Sequence, residues 1–110
     1  MSIDYSEVMI GAPAEVFDAI GRRLGAFNLH CINLRTGLTS DPTATFARHQ
    51  AQQPWLVMNL LWVTHSFALA IQMQALLRAW DGKLFAAEEL VPESGSGRRA
   101  ASFYAYALTR

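Results

Sequence analysis

The first side chains to consider for acid–base or nucleophilic chemistry are three histidines, His30, His49 and His65, and the single cysteine, Cys31. His65 is the most suggestive, because an imidazole in apolar surroundings has a lowered proton affinity and can act as a general base. Ser66 follows it directly, but on a helix the two side chains would point about 100° apart, which is poor geometry for a hydrogen bond. The sequence therefore favours a hydrogen-bonded core or interface histidine over a catalytic base.

The other candidates are weaker. His30 and Cys31 are neighbours on a predicted strand, so their side chains point to opposite faces and cannot activate each other. We interpret Cys31 as an inert buried thiol and His49 as a solvated helix residue. The histidine and cysteine spacing matches no established metal site, and the stretch SGSGRR at 94–99 lacks the lysine and following helix of a phosphate-binding loop. We predict no metal and no cofactor.

Composition limits the class of protein. Nine basic and nine acidic residues cancel and are scattered along the chain, so no basic patch predicts binding to nucleic acid or anionic lipid. With 52% hydrophobic and 16% charged residues, residues 1–110 should form a single compact domain. One cysteine cannot form an internal disulfide, and the first residues lack the pattern of a secretory signal. A reducing, cytoplasmic location is therefore expected.

Two signals in the sequence predict the helices and strands that position these side chains. One is the periodicity of apolar residues, and the other is the presence of residue types that favour the ends of helices. Pro13 suits a helix start and Gly25 a helix stop, while Asp41 and Pro42 suit the start of a second helix. Residues 83–91 are interpreted as a hairpin partner of the last strand. The predicted strands are 2–10, a segment within 29–38 that alternates from Leu29, 83–91 and 100–110, and the predicted short helices are 13–24 and 42–52.

The dominant feature is a run from Pro54 through Leu77 without a charged side chain. We predict one helix from Pro54 to Trp80, about 40 Å long at about 1.5 Å per residue. This helix would be apolar nearly all round, with its large side chains on one stripe at spacings of three and four. The stripe comprises Trp55, Met58, Trp62, Leu69, Met73, Leu76 and Trp80.

These elements predict an α+β fold, in which an antiparallel sheet of about four strands packs on one long apolar helix with one or two shorter helices. A membrane span over 54–77 is the competing interpretation, since its length would suffice. Four polar side chains would then lie in hydrocarbon, where they are costly unless paired: Asn59, His65, Gln72 and Gln74. Basic residues also show no asymmetry that orients a span. We therefore predict no membrane association.

The first functional hypothesis is a small non-enzymatic protein-interaction module of inhibitor, immunity or accessory type. One small sheet cannot cover a long helix that is apolar all round, so the tryptophan and methionine stripe is predicted to form a homodimer interface. A second surface would bind a protein partner. The competing interpretation of the stripe is an ordinary core.

The alternative hypothesis is a small-molecule-binding protein or compact enzyme with an apolar cavity between the sheet and the long helix. In that case Trp62, His65, Phe67 and Tyr104 would line the cavity. His65 or His30 would act as the acid or base. The sequence identifies neither a ligand nor a partner.

Overall fold

The computed structural model describes residues 2–80 and 102–110, which form a four-stranded sheet and three helices. In chain order the elements are β1 (Ser2–Asp4), α1 (Pro13–His30), β2 (Leu34–Thr39), α2 (Pro42–Gln50), β3 (Val57–Thr64), α3 (Phe67–Trp80) and β4 (Phe103–Thr109). The predicted α+β class is confirmed. The prediction of a purely antiparallel sheet is wrong, because β1 and β3 are parallel.

The strand order is β1-β3-β4-β2, and β4 is antiparallel to both of its neighbours. The first three strands therefore run in one direction and β4 runs back. We call the end where β2 and β3 begin and β4 finishes the lower end, and the opposite end the upper end. Because α1 and α2 each connect the upper end to the start of the next parallel strand, both helices run from the upper end to the lower end.

The predicted helix from Pro54 to Trp80 is wrong. Val57–Thr64 is strand β3, and the helix is only Phe67–Trp80. β3 lies between β1 and β4 and is apolar on both faces, so it shows no alternation, and periodicity alone cannot distinguish such a strand from a buried helix. One signal of the true boundary was present, since the Ser66 hydroxyl accepts a hydrogen bond from the Leu69 N–H (3.2 Å) and caps α3.

The boundary predicted at Gly25 is also wrong, because α1 continues to His30. A glycine inside a helix costs about 1 kcal/mol, and here the extra turn places Phe27 against the core. Tertiary packing therefore outweighs the local preference. Since Leu29 belongs to the helix, the following strand begins at Leu34, later than predicted.

Two local predictions are confirmed. The Asp41 carboxylate accepts a hydrogen bond from the Ala44 N–H (3.1 Å) and caps α2. The last strand alternates as predicted, with Tyr106 and Leu108 packed on one side of the sheet and Ala107 on the other. The hairpin partner predicted at 83–91 lies outside the described residues.

The sheet has a hydrophobic core on each face. On one face α1 and α3 cover the helix-pair core, which comprises Ile20, Leu24, Leu34, Leu38, Leu61, Trp62, Met73, Leu77, Ala105 and Ala107. On the other face α2 covers the α2 core, which comprises Phe46, Trp55, Met58, Leu60, Tyr106 and Leu108. A register shift between Leu60 and Trp62 allows the successive residues Leu61 and Trp62 to enter the same core.

Replacing Thr36 with valine is expected to stabilise the fold. The Thr36 hydroxyl is buried and has no hydrogen-bond partner among residues 2–80 and 102–110, and an unpaired buried hydroxyl costs about 1–3 kcal/mol. Valine keeps the branched shape that suits a strand, so Thr36→Val should raise the free energy of unfolding by about 1 kcal/mol, measured by urea denaturation.

Thr39→Val is the matched control on the same strand. The Thr39 hydroxyl lies 2.6 Å from the Thr45 hydroxyl in a buried hydrogen bond, so this variant should lose about 1 kcal/mol. A stability loss in Thr36→Val that equals the loss in Thr39→Val would contradict the prediction.

Candidate functional site

The residues of the predicted interface stripe do not share a surface. Trp55 precedes β3, Met58 and Trp62 lie in β3, and Leu69, Met73, Leu76 and Trp80 belong to α3. Trp55, Met58, Trp62 and Met73 are buried within the chain itself, and Leu69 and Leu76 are half-buried. A side chain that its own chain already encloses offers little area to a partner. The long uncovered helix that motivated the homodimer does not exist, and the homodimer stays a prediction.

The residues of the alternative cavity do not converge either. Trp62 belongs to the helix-pair core, whereas Tyr104 packs against the α2 core on the other face of the sheet. His30 ends α1 at the lower end, and His65 follows β3 at the upper end, roughly 25 Å away by the length of the strand. Phe67, the first residue of α3, follows His65 by two positions, and Trp62 precedes His65 by three.

His65 has a serine neighbour that sequence reasoning missed. The Ser102 hydroxyl lies 3.3 Å from His65 Nδ1, although the two residues are 37 positions apart. The pairing of Thr64 with Phe103 places them one step beyond the β3–β4 ladder, a register that the sequence did not predict. The pair is exposed to solvent, where water competes for both groups, so the contact does not by itself create an activated nucleophile.

His49 is buried, so its prediction as a solvated residue is wrong. The inward side of α2 comprises Thr45, Phe46 and His49, at the spacing of one helix face. His49 Nε2 lies 3.2 Å from the Tyr106 hydroxyl, which is itself fully buried. This contact joins α2 to the central strand β4 and indicates a structural role.

Cofactor and membrane sites can be tested on the described part of the chain. There, no cluster of three histidine, cysteine, aspartate or glutamate side chains could hold a metal ion. Cys31 is a free thiol that is half-buried just beyond α1, so it is less enclosed than predicted. None of the helices in residues 2–80 and 102–110 combines the length and the apolarity needed to span a bilayer.

Three large aliphatic side chains are exposed at the lower end, and we call them the lower-end apolar residues. Leu29, Ile32 and Leu56 are 81%, 85% and 55% exposed. The Ile32 N–H donates to the Arg110 carbonyl (2.7 Å) and the Leu56 N–H donates to the Thr109 carbonyl (3.0 Å). Ile32 and Leu56 therefore flank the end of β4, about 10 Å apart from the spacing of strands.

Basic side chains gather at the same end. His30 lies in the last turn of α1 and Arg48 in the last turn of α2, where positive charge also complements the helix dipoles. Arg35 is the second residue of β2, and Arg110 directly follows β4. With the Asn33 amide oxygen turned toward Arg110, it accepts hydrogen bonds from Nε (3.2 Å) and Nη2 (3.1 Å). The Arg110 guanidinium is thereby held at the lower end.

The described residues carry five side-chain carboxylates. They belong to Asp4, Glu7, Glu15, Asp18 and Asp41. Those of α1 and of the α2 cap are near the upper end. The Ser6 hydroxyl and N–H donate to Asp4 Oδ1 (2.6 and 2.8 Å), and these hydrogen bonds hold the pKa of Asp4 below its ordinary value. Glu7 pairs with Arg23 on α1 (3.7 Å). Asp4 pairs with Asn59 in the lower half of β3, so the described carboxylates are not confined to the upper end.

Sequence reasoning did not find this site. It assigned Leu29 and Ile32 to a strand and Leu56 to the long helix. The identity of an aliphatic residue does not show whether its side chain is buried or exposed. The basic residues come from four different elements or their ends, so their clustering is visible only after folding.

Comparison of the chain with models of protein families, with curated protein sequences and with solved structures finds no match. The function is therefore argued from the geometry of the site alone.

Proposed function

We propose that the protein is a non-enzymatic protein-interaction module that binds a protein partner through its lower end. The observation that supports this proposal is the exposure of Leu29, Ile32 and Leu56 around the end of β4. Single exposed aliphatic residues are ordinary, but several at one end of a small domain are typical of an interaction surface. Inhibitors, immunity proteins and accessory factors of the reducing cytoplasm are the kinds of protein that fit this role.

The surrounding side chains support the same proposal. Interface centres are usually apolar, and arginine is the charged residue that is enriched there. Arg110 lies beside Ile32, because the Ile32 N–H donates to the Arg110 carbonyl (2.7 Å). An enzymatic role has less support, because the His65–Ser102 contact is exposed and lies at the upper end, away from these residues.

A second copy of the chain is a poor occupant of this surface. Two copies related by a two-fold axis would bring their Arg110 guanidinium groups into one interface, and like charges in contact cost several kcal/mol. A homodimer would therefore have to use another surface. Sedimentation analysis of the purified protein at tens of micromolar measures whether such a dimer forms.

Peptide selection tests the proposed surface directly. The immobilised protein, panned against a display library of random linear peptides, is expected to select peptides that bind at the lower end. Burial of an isoleucine contributes about 1.5–3 kcal/mol, so Ile32→Ser should weaken the binding of a selected peptide at least about tenfold. Fluorescence anisotropy with labelled synthetic copies of the selected peptides measures this loss.

Ile10→Ser is the matched control, since Ile10 is 75% exposed and follows Met9, which pairs with β3 near the upper end. This variant should bind the peptides as tightly as the original chain. Circular dichroism should show that both variants keep the original melting temperature. The proposed function would be wrong if the library yields no binder, or if the selected peptides bind Ile32→Ser as tightly as the original chain.

A further inference from the structure

We infer that the partner segment bound at the lower end is an amphipathic α-helix. This inference rests on the proposed function and specifies the conformation of its partner. Two features of the described residues carry it. The backbone N–H groups of the lower-end loops already donate hydrogen bonds within the chain, and the spacing of the lower-end apolar residues matches one face of a helix.

The backbone donors of two loops at the lower end are all engaged. The N–H groups of residues 31–33 donate to carbonyls of the same chain, two of them to Arg110 (2.7 and 3.2 Å), and the Arg110 N–H donates back to the Asn33 carbonyl (3.2 Å). In the loop 51–56 every N–H likewise donates to a carbonyl of the chain, and Pro54 has no N–H. These two loops therefore offer no free N–H to a partner.

An extended partner segment fits this surface poorly. Strand addition needs a row of unpaired N–H and C=O groups on one strand, because the added segment exchanges hydrogen bonds with both. Here the loops would supply no donor to the carbonyl groups of an extended segment, while the apolar side chains would exclude water from them. A helix pairs its own N–H and C=O groups, so it presents only side chains to the surface. The engaged donors therefore favour a helix over a strand.

The positions of the lower-end apolar residues fit one face of such a helix. Ile32 and Leu56 lie on opposite sides of the end of β4, about 10 Å apart. Residues i and i+7 of a helix share a face and are also about 10 Å apart along the axis. A helix laid across the end of β4 can therefore contact Ile32 near one end and Leu56 near the other. Leu29, in the last turn of α1, precedes Ile32 by three residues and can contact the same end of that helix.

Modified copies of the selected peptides test this inference. Peptides that require Ile32 should carry apolar residues at positions i, i+3 or i+4, and i+7. Proline at an outward-facing position between the second and third of these residues should weaken binding at least about tenfold, because it breaks the helix. Alanine at the same position is the matched control and should retain the affinity.

A lactam bridge between outward-facing positions i and i+4 of the peptide should strengthen binding several-fold. An isolated helix shorter than about 12–15 residues is marginal in water, so the bridge removes part of the entropy cost of ordering the peptide. The uncyclised peptide with the same lysine and glutamate is the control. Fluorescence anisotropy measures these affinities, and far-UV circular dichroism should show a gain of helix when peptide and protein are mixed.

Double-mutant cycles test where the helix lies. Leu56→Ser should weaken binding, as Ile32→Ser does. Alanine at one end of the i to i+7 set should cost little further affinity in Ile32→Ser, and alanine at the other end should cost little further affinity in Leu56→Ser. Coupling of both peptide ends to the same residue of the protein would contradict a helix laid across the end of β4.

The outcomes separate the inference from the proposed function. Peptides that require Ile32 but tolerate the proline and lose affinity with the lactam would be bound in an extended form. That result would overturn the helical partner and leave the proposed function standing. Failure to select any peptide that requires Ile32 would show that both are wrong. A dimer of the purified protein that Ile32→Ser converts into a folded monomer would make a second copy the occupant of the lower end and overturn the inference.

Discussion

Glutamate in place of Met73 is expected to unfold the chain. Met73 is fully buried in the helix-pair core, where it packs in the same cluster as Trp62 and Leu77. An unpaired charge there costs several kcal/mol, which is comparable with the total stability of about 5–15 kcal/mol for a small domain. Far-UV circular dichroism and a urea titration should show the loss of the cooperative transition in Met73→Glu.

Ile71→Glu is the control on the same helix, since Ile71 is 40% exposed. It should change the free energy of unfolding by less than about 1 kcal/mol. If the predicted stripe formed a homodimer interface, Met73→Glu would instead convert a folded dimer into a folded monomer. If the original chain is a dimer and the Met73→Glu variant is a folded monomer, the predicted unfolding is wrong and Met73 lies in an interface.

Alanine in place of Gly37 should cost the second-largest amount of stability. Gly37 pairs with Tyr106 across the β2–β4 ladder, and a Cβ at Gly37 would lie 2.5 Å from the tyrosine hydroxyl oxygen and 2.7 Å from Cζ. The ring cannot move aside easily, because it is fully buried and its hydroxyl contacts His49. Overpacking of this kind costs about 1–3 kcal/mol, and the value here should fall at the upper limit.

Gly25→Ala is the matched glycine control. A Cβ at Gly25 would meet no atom within 4 Å, and Gly25 lies inside α1. Alanine is the better helix former by about 1 kcal/mol, so Gly25→Ala should stabilise the protein by about 0.5–1 kcal/mol. Urea denaturation of both variants measures the difference. Equal stability of Gly37→Ala and the original chain would show that Tyr106 does not lie over Gly37.

Local features of the fold could be read from the sequence. Asp41 caps α2 because the short side chain next to Pro42 meets an N–H that needs an acceptor, and this requires only adjacent residues. The faces of β4 follow from alternation alone, since tyrosines and alanines take turns along the strand. Both features depend on interactions within a few residues, so no knowledge of the fold was needed.

The structure of residues 57–64 depended on tertiary contacts. A segment that is apolar on every side satisfies both a helix and a strand buried on two faces, and only its partners β1 and β4 distinguish the two. The long helix, its stripe and the reason for a homodimer were consequences of that one ambiguity. The residue that could have resolved it, Ser66, carries a helix-capping hydroxyl in the middle of the apolar run.

The sequence by itself determined the α+β class, the cap of α2 and the faces of the last strand, because propensity and alternation act between near neighbours. Only the tertiary structure decided that His49 is buried against Tyr106 and that Ile32 and Leu56 flank the end of β4. These contacts join residues far apart in the chain. Their formation depends on strand order and register, which the pattern of a single sequence does not contain.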